Sequence, residues 1–338
     1  MVTPSADDAP LGVVGVGASA GGVEALKQFA AGLPPDLRQA VLVVLHVAPS
    51  APSVLGQILD RSGPLPAAAA RDGEPLRAGR LYVAVPDRHM LVEDGRIVLS
   101  GGPTEDRHRP AINPLMRSLA LSYGPKATGI VMSGVLDDGV LGLQAIRSRG
   151  GVTMVQDPDD ALYPDMPRNA LAMVDVQHTV SAAGAGALLK SLEPSHDNGS
   201  TGTPDPVLAL ENEIAMGPPF GEFDVMELGV PSGHTCPDCS GSLVSIGDGN
   251  LRCRIGHAWT PEALLEAWTQ DTENALGVAL RSLLEKAQLA RSHAKVINDG
   301  VLSSRYLEIA EEADSAASEL RKLLGSSSRV WGKPRDPS

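Results

Sequence analysis

Residues 13–22 read VVGVGASAGG, a hydrophobic strand that runs into glycines and one serine. Two chemistries begin this way. In a dinucleotide-binding turn, glycines admit a pyrophosphate to the backbone, and the N-terminus of the next helix meets it with N–H donors. Gly15 and Gly17 fit the start of that G-x-G-x-x-G fingerprint, with Ala20 where its third glycine would fall. In a nucleophile turn, G-x-S-x-G bends a strand sharply into a helix and exposes a serine hydroxyl. Gly17-Ala18-Ser19-Ala20-Gly21 is such a run. A plain tight turn with a serine helix cap looks the same over five residues.

The second strand separates the two readings. A dinucleotide site needs an acid about 20 residues further on, at the end of the next strand, to hold the ribose hydroxyls. Here VLVVL ends in His46. Imidazole is a poor substitute for that acceptor, but it is the base a serine needs. The carboxyl ends of adjacent parallel strands open onto one crevice, so Ser19 and His46 are expected as neighbours. Taken alone, His46 reads better as an ordinary loop histidine. A further strand, TGIVMSG, continues into VLDDGVLGL, where Asp137 and Asp138 precede a helical stretch. A carboxylate there can orient an imidazole as in serine hydrolases, or cap the helix.

Around these residues, positions 11–190 alternate β-type runs (LGVVGVG, VLVVLHV, RLYVAV, RIVLS, TGIVMSG, VTMVQ) with helical ones (GGVEALKQFAAGL, SVLGQILDRS, INPLMRSLALSYG, GLQAIRSRG). The strand runs are continuously apolar, as in strands buried on both faces. An α/β fold with a doubly wound, mostly parallel sheet is predicted, with a hairpin turning at Asp94-Gly95. From about Glu193 the chain is acidic and rich in Pro, Gly and Ser, and it has no Lys or Arg between Ser191 and Leu251. The expected division is therefore 1–192 catalytic domain, 193–230 linker with one short helix at PVLALENEIAM, 231–259 cysteine unit and 260–325 helical hairpin. The seam of that hairpin is expected at Leu264, Leu265, Trp268, Leu276, Leu280, Leu283 and Leu284 against Tyr306, Ile309, Ala313, Leu320 and Leu323. It either buries itself or serves as a docking or dimerisation surface.

The cysteine unit is CPDCSGSLVSIGDGNLRCRIGH. Cys236, Cys239, Cys253 and His257 stand in C-x2-C…C-x3-H spacing, which suits a closed tetrahedral Cys3His site for structural zinc. His234 is a less natural fourth ligand, and three buried free thiols are the bland alternative. No metal or other cofactor is expected in catalysis. The formal net charge is −13 over 338 residues, so nucleic acid and anionic membranes lack a basic footprint to bind. There is no basic-then-apolar leader at MVTPSADDAP and no run of about 18 apolar residues. A cytoplasmic protein without membrane insertion is expected.

The ordered blocks VVGVGASAGGVEAL, LHV, GRLYVAVPDRHMLV, RHRPAINPLMRSLA, GIVMSGVLDDGVLGL and VQDPDDALYPDMPRNA resemble the CheB family of chemotaxis protein-glutamate methylesterases, over about Leu11 to Leu192. The resemblance implies a serine hydrolase that removes methyl esters from glutamates of bacterial chemoreceptors, many members also deamidating glutamine. Block by block it implies Ser19 as nucleophile, His46 as base and Asp138 as the orienting acid, with Asp137 at a variable position. Backbone N–H groups at Ala20 and Val135 would hold the oxyanion. Where the family often has T-G-M, this chain has Ser133-Gly134-Val135, and Ala20 stands where a threonine is common. The family's full-length chemotaxis members carry a phosphorylatable receiver domain ahead of the esterase. Here the first esterase strand follows within about a dozen residues, so control through such a domain is not expected. The rival class is a non-catalytic signalling scaffold on the same fold. A nucleotide-dependent reductase stands well behind both.

Overall fold

The computed structural model describes residues 9–192, 205–217, 225, 229–246, 250–297 and 299–331. Most of the expected linker and the tip of the expected cysteine-unit hairpin, residues 247–249, lie outside them. The chain forms two compact units, Met1–Leu264 and Leu265–Ser338.

The first unit opens with β1 (Val13–Ala18), α1 (Gly22–Gly32), β2 (Ala40–Leu45), α2 (Leu55–Ser62), β3 (Ala67–Ala69) and β4 (Leu81–Val83). A hairpin follows, β5 (His89–Glu93) and β6 (Arg96–Ser100), then α3 (Ile112–Tyr123), β7 (Ala127–Val131), α4 (Val140–Ser148), β8 (Val152–Gln156), α5 (Asp165–Met173), β9 (His178–Val180) and α6 (Ala182–Leu188). Seven strands form one sheet in the order β3-β4-β2-β1-β7-β8-β9, with every pairing parallel. The chain builds outward from β1 on one side, then returns through β7 to build the other. The carboxyl ends of β2, β1 and β7 therefore lie side by side where the winding reverses, the usual place for a site in such a sheet.

Both faces of the sheet are buried, which is why its strands read as continuous apolar runs. Val13 packs with Ile112, Leu115, Met116 and Leu143 of α3 and α4. Val14, Val16 and Ala18 pack on the opposite face with Leu26 and Phe29 of α1, Leu59 of α2 and Ala185 of α6. Gly15 and Gly17 lie under α3. A Cβ on Gly15 would sit 2.8 Å from Leu119, and one on Gly17 2.3 Å from Ile112. The two glycines of the opening motif thus let α3 approach the sheet. The hairpin turns at Asp94-Gly95, both with positive φ, as a two-residue turn requires.

The rest of the first unit comprises α7 (Pro206–Met216), capped by the Asp205 carboxylate, and an antiparallel sheet of β10 (Val230–Thr235), β11 (Ser242–Ile246), β12 (Asn250–Cys253) and β13 (Ala258–Trp259). Ile214 of α7 packs with Val244 and Ile246 of β11. The chain then enters α8 (Pro261–Ala294).

In the second unit, α8 meets α9 (Gly300–Trp331) along a seam of alanines, Ala287, Ala290, Ala310 and Ala313, flanked by Leu283 and Ile309. Arg291 pairs with Asp314 across it, and His293 meets Tyr306 edge-on. Of the expected seam, Leu283, Ile309 and Ala313 lie along it, whereas two members are corrected: Leu265 is 63% and Leu323 54% exposed. Small residues let the helices approach closely, so the buried stripe follows the alanines. Among the described residues no helix is long and apolar enough to cross a membrane.

Candidate active site

Ser19 is the first residue past β1, and its N–H donates to Ser133 O at 2.9 Å. Gly21 closes the turn at φ +69°; a Cβ there would press on Ser133 Oγ at 2.7 Å. His46 is the first residue past β2, its N–H donating to Ala18 O at 3.2 Å. The two side chains meet as the crevice geometry predicts: His46 Nδ1 lies 3.2 Å from Ser19 Oγ, and His46 Nε2 lies 2.7 Å from Asp138 Oδ2. With its Nε2–H donated to the carboxylate, the imidazole presents Nδ1 to the serine as an acceptor.

Asp138 is buried, and its carboxylate also takes the N–H of Ile112 at 2.8 Å and of Asn113 at 3.1 Å, at the N-terminus of α3. The Asn113 amide oxygen in turn takes the N–H of Gly139 at 3.0 Å and of Gly142 at 2.7 Å, at the start of α4. The two helix ends cap each other across the carboxylate. Burial by itself raises the pKa of Asp138, but the hydrogen bond and charge of His46 and the Ile112 N–H outweigh it, holding it below the usual carboxylate range.

Asp137 turns away from His46 and accepts the Thr260 hydroxyl at 2.8 Å. Burial pushes it up to about 6, the Thr260 bond opposing and Glu262 and Asp138 adding. Asp106, close by, is pushed up as well by burial and then by the charges of Asp138 and Asp137. Asp137 is charged above about pH 4 in the unfolded chain, but only above about pH 6 in the fold. The fold therefore loses stability as pH rises through that window. Urea unfolding of the wild type and of Asp137→Asn should show the wild type losing on the order of 2 kcal/mol relative to the variant between about pH 4 and 7. A pH-independent difference would refute this.

Among the described residues the N–H groups of Ala20 and Val135 meet no backbone acceptor. Gly134 between them sits against the nucleophile: a Cβ there would lie 3.0 Å from Ser19 Cβ and 2.0 Å from Met166 Sδ. Ser133 pins this loop, donating from Oγ to Ala20 O at 2.8 Å, accepting Tyr163 N–H at 3.0 Å and donating its own N–H to Gln156 at 2.9 Å. Gln156 is held by Asp160 at 2.8 Å. The VQDPDDALYP block is thus the buttress of the serine turn.

A residue the sequence did not single out stands beside the imidazole. His108 stacks on His46 with ring centroids 3.7 Å apart and planes 13° from parallel. Burial, then the charge of His46, push it down to about 4, so it is neutral at ordinary pH. Its only signal in sequence is its place in RHRP.

The four expected metal ligands also converge. Cys236 Sγ and Cys253 Sγ lie 3.7 and 3.6 Å from His257 Nδ1, and Cys239 Sγ lies 3.5 Å from Cys253 Sγ. Metal–sulfur bonds of about 2.3 Å and metal–nitrogen bonds of about 2.0 Å at tetrahedral angles put donors roughly 3.5–3.8 Å apart, so the set fits a zinc-sized ion. His234 is not among the four.

The family model described as CheB methylesterase matches residues 14–189. Protein-glutamate methylesterase/protein-glutamine glutaminase 2 of Anaeromyxobacter dehalogenans is 38% identical over 161 residues, 48% of this chain and 47% of that protein. Number 3 of the same organism is 40% identical over 168 residues, 49% of each chain, and number 1 of Myxococcus xanthus 34% over 191 residues, 55% of each. The chain spans about half the length of the curated relatives it matches. The solved catalytic domain of Thermotoga maritima CheB methylesterase superposes with a TM-score of 0.51 at 24% identity, covering 53% of this chain and 97% of that domain, which shows the shared fold.

Proposed function

Because the chain belongs to the CheB methylesterase family, we propose that it is a serine esterase that hydrolyses γ-methyl esters of glutamate side chains on a chemoreceptor-type protein. The observation that carries this is the continuous chain of contacts Ser19–His46–Asp138, 3.2 and 2.7 Å long, at the carboxyl ends of three adjacent strands.

In the proposed reaction Ser19 Oγ attacks the ester carbonyl while His46 Nδ1 takes its proton. Asp138 holds Nε2–H and stabilises the imidazolium. The N–H groups of Ala20 and Val135 receive the oxyanion. Donors without an internal partner are what that role requires. Collapse breaks the C–O bond, and Nδ1–H protonates the departing methoxide to methanol. Water then attacks the acyl-serine, its proton passing through Nδ1 back to Ser19 Oγ, and free glutamate leaves. A glutamine amide would follow the same course with ammonia leaving, in keeping with the glutaminase half of the relatives' names.

The test is methanol release from a methylated receptor cytoplasmic domain by the purified protein, with Ser19→Ala as the control. Turnover by the wild type alone is expected. No release from either would favour the scaffold reading. For the cysteine unit we propose structural zinc on Cys236, Cys239, Cys253 and His257. Bound there, the metal supplies folding energy to a sheet too small to hold itself, and no catalysis. Protein purified without chelator should contain about one zinc per chain, and Cys236→Ser none. Metal-free wild type would dismiss the site.

A further inference from the structure

The cysteine unit reaches the candidate active site through one turn, residues 104–108. On its outer side that turn is part of the metal-binding unit. Asp106 N–H donates to Ala258 O at 2.9 Å and Ala258 N–H to Thr104 O at 3.2 Å, so the turn lies alongside β13 like an added strand. Asp238, between the first two cysteines, accepts the Thr104 hydroxyl at 3.0 Å and pairs with Arg107 at 3.4 Å. Arg252, one residue before Cys253, reaches Glu105 at 3.2 Å and Glu211 at 3.1 Å. Glu105 is also paired with Arg117 of α3, and Glu105, Arg117 and Arg252 are all buried.

On its inner side the turn carries His108, stacked on His46. Thr260, three residues past His257, closes the circuit. Its N–H donates to Asp106 at 2.8 Å and its hydroxyl to Asp137, the neighbour of Asp138, at 2.8 Å. Thr260 is 4% exposed, and the same hydroxyl accepts Ala263 N–H at 3.1 Å as the cap of α8. From His257 the path to the site is short and runs through buried residues, Ala258, Trp259 and Thr260 to Asp106 and Asp137.

We propose that the Cys3His unit is a positioning device for the esterase site, with Thr260 and the 104–108 turn setting the alignment of His46 and Asp138, so that turnover depends on metal loading. The proposal rests on the esterase reading of Ser19, His46 and Asp138. Thr260 and His108 are positioning residues in it, since they act through His46 and Asp138. An imidazole displaced by a fraction of an ångström loses its line to the serine, and misplacements near 1 Å cost on the order of 10²-fold in rate.

The test uses the full chain with three readouts. These are kcat and KM on a small carboxylic ester, the rate of Ser19 labelling by a fluorophosphonate, and the downfield proton resonance of His46 Nε2–H against Asp138. Thr260→Val removes the hydroxyl, Thr260→Ser restores it, and Thr260→Asp keeps the α8 cap but sets a like charge against Asp137. Thr260→Val and Thr260→Asp should lower kcat and the labelling rate roughly 10- to 100-fold with KM little changed, and shift or broaden the His46 proton. Thr260→Ser should recover all three. Removing metal with a chelator should reproduce the Val result, and adding back zinc alone should reverse it. The proposal is overturned if Thr260→Val and metal-free protein label Ser19 at the wild-type rate with an unchanged His46 proton. An inert Ser19 in wild type would refute the esterase reading instead, because the His46 proton still reports the coupling. If metal-free protein loses its fold altogether, the metal-loaded Thr260 variants decide.

Discussion

Ser19→Ala is expected to leave a folded protein that releases methanol from methylated receptor on the order of 10⁴- to 10⁶-fold more slowly than wild type. Folding should survive because the serine's structural bond is made by its backbone, N–H to Ser133 O, and not by its hydroxyl. The turn itself is held by Ser133, Gly134 and Gly21, all untouched. What the substitution removes is the atom that attacks. His46 then has no proton to take, and only the oxyanion donors still distinguish the site from water. An unchanged thermal transition beside a collapsed rate is the expected pair. A rate within about tenfold of wild type would take Ser19 out of the mechanism.

The second large effect separates two adjacent carboxylates. In Asp138→Asn the side-chain oxygen can go on accepting from the α3 N-terminus, but an amide turned toward His46 donates where the carboxylate accepted. The imidazole must then offer Nε2 as acceptor and carry its proton on Nδ1, facing Ser19, where a base is needed. That is the wrong tautomer, with a cost of about 10⁴-fold in kcat. Asp137→Asn keeps an oxygen for the Thr260 hydroxyl and leaves the His46 contact untouched. Its rate should stay within about tenfold. Kinetics of the two variants on one ester settle the ranking, and the reverse order would mean that the orienting acid is Asp137.

The parts legible in the sequence were those written in local pattern. Strands β1, β2, β7 and β8 announce themselves as apolar runs, and Ser19, His46 and Asp138 stand where those runs stop. Three strand ends converge in any sheet of this winding, so the gathering follows from topology. The Ala67–Ala69 strand could not be read, because alanine favours helix and only the pairing with β4 makes that segment extended. Gly15 and Gly17 suggested a ligand where the fold uses them to seat a helix. The buried bonds from Arg252 to Glu105 and from Thr260 to Asp106 and Asp137 had no sequence signal either, nor did the stacking of His108. Each joins residues far apart in the chain with no fixed spacing or motif, and an N-cap threonine before a proline looks complete without a second partner.

That long-range closure sets an order of events during synthesis. When the nascent chain has been made as far as Leu192, the sheet strands carrying Ser19, His46 and Asp138 are all present. The partners of Asp106 and Asp137 and the second partner of Glu105 are not. At roughly 5–20 residues per second, the ribosome needs several seconds more to deliver Arg252 and Thr260. For that interval the growing protein has its nucleophile without the groups that steady its base.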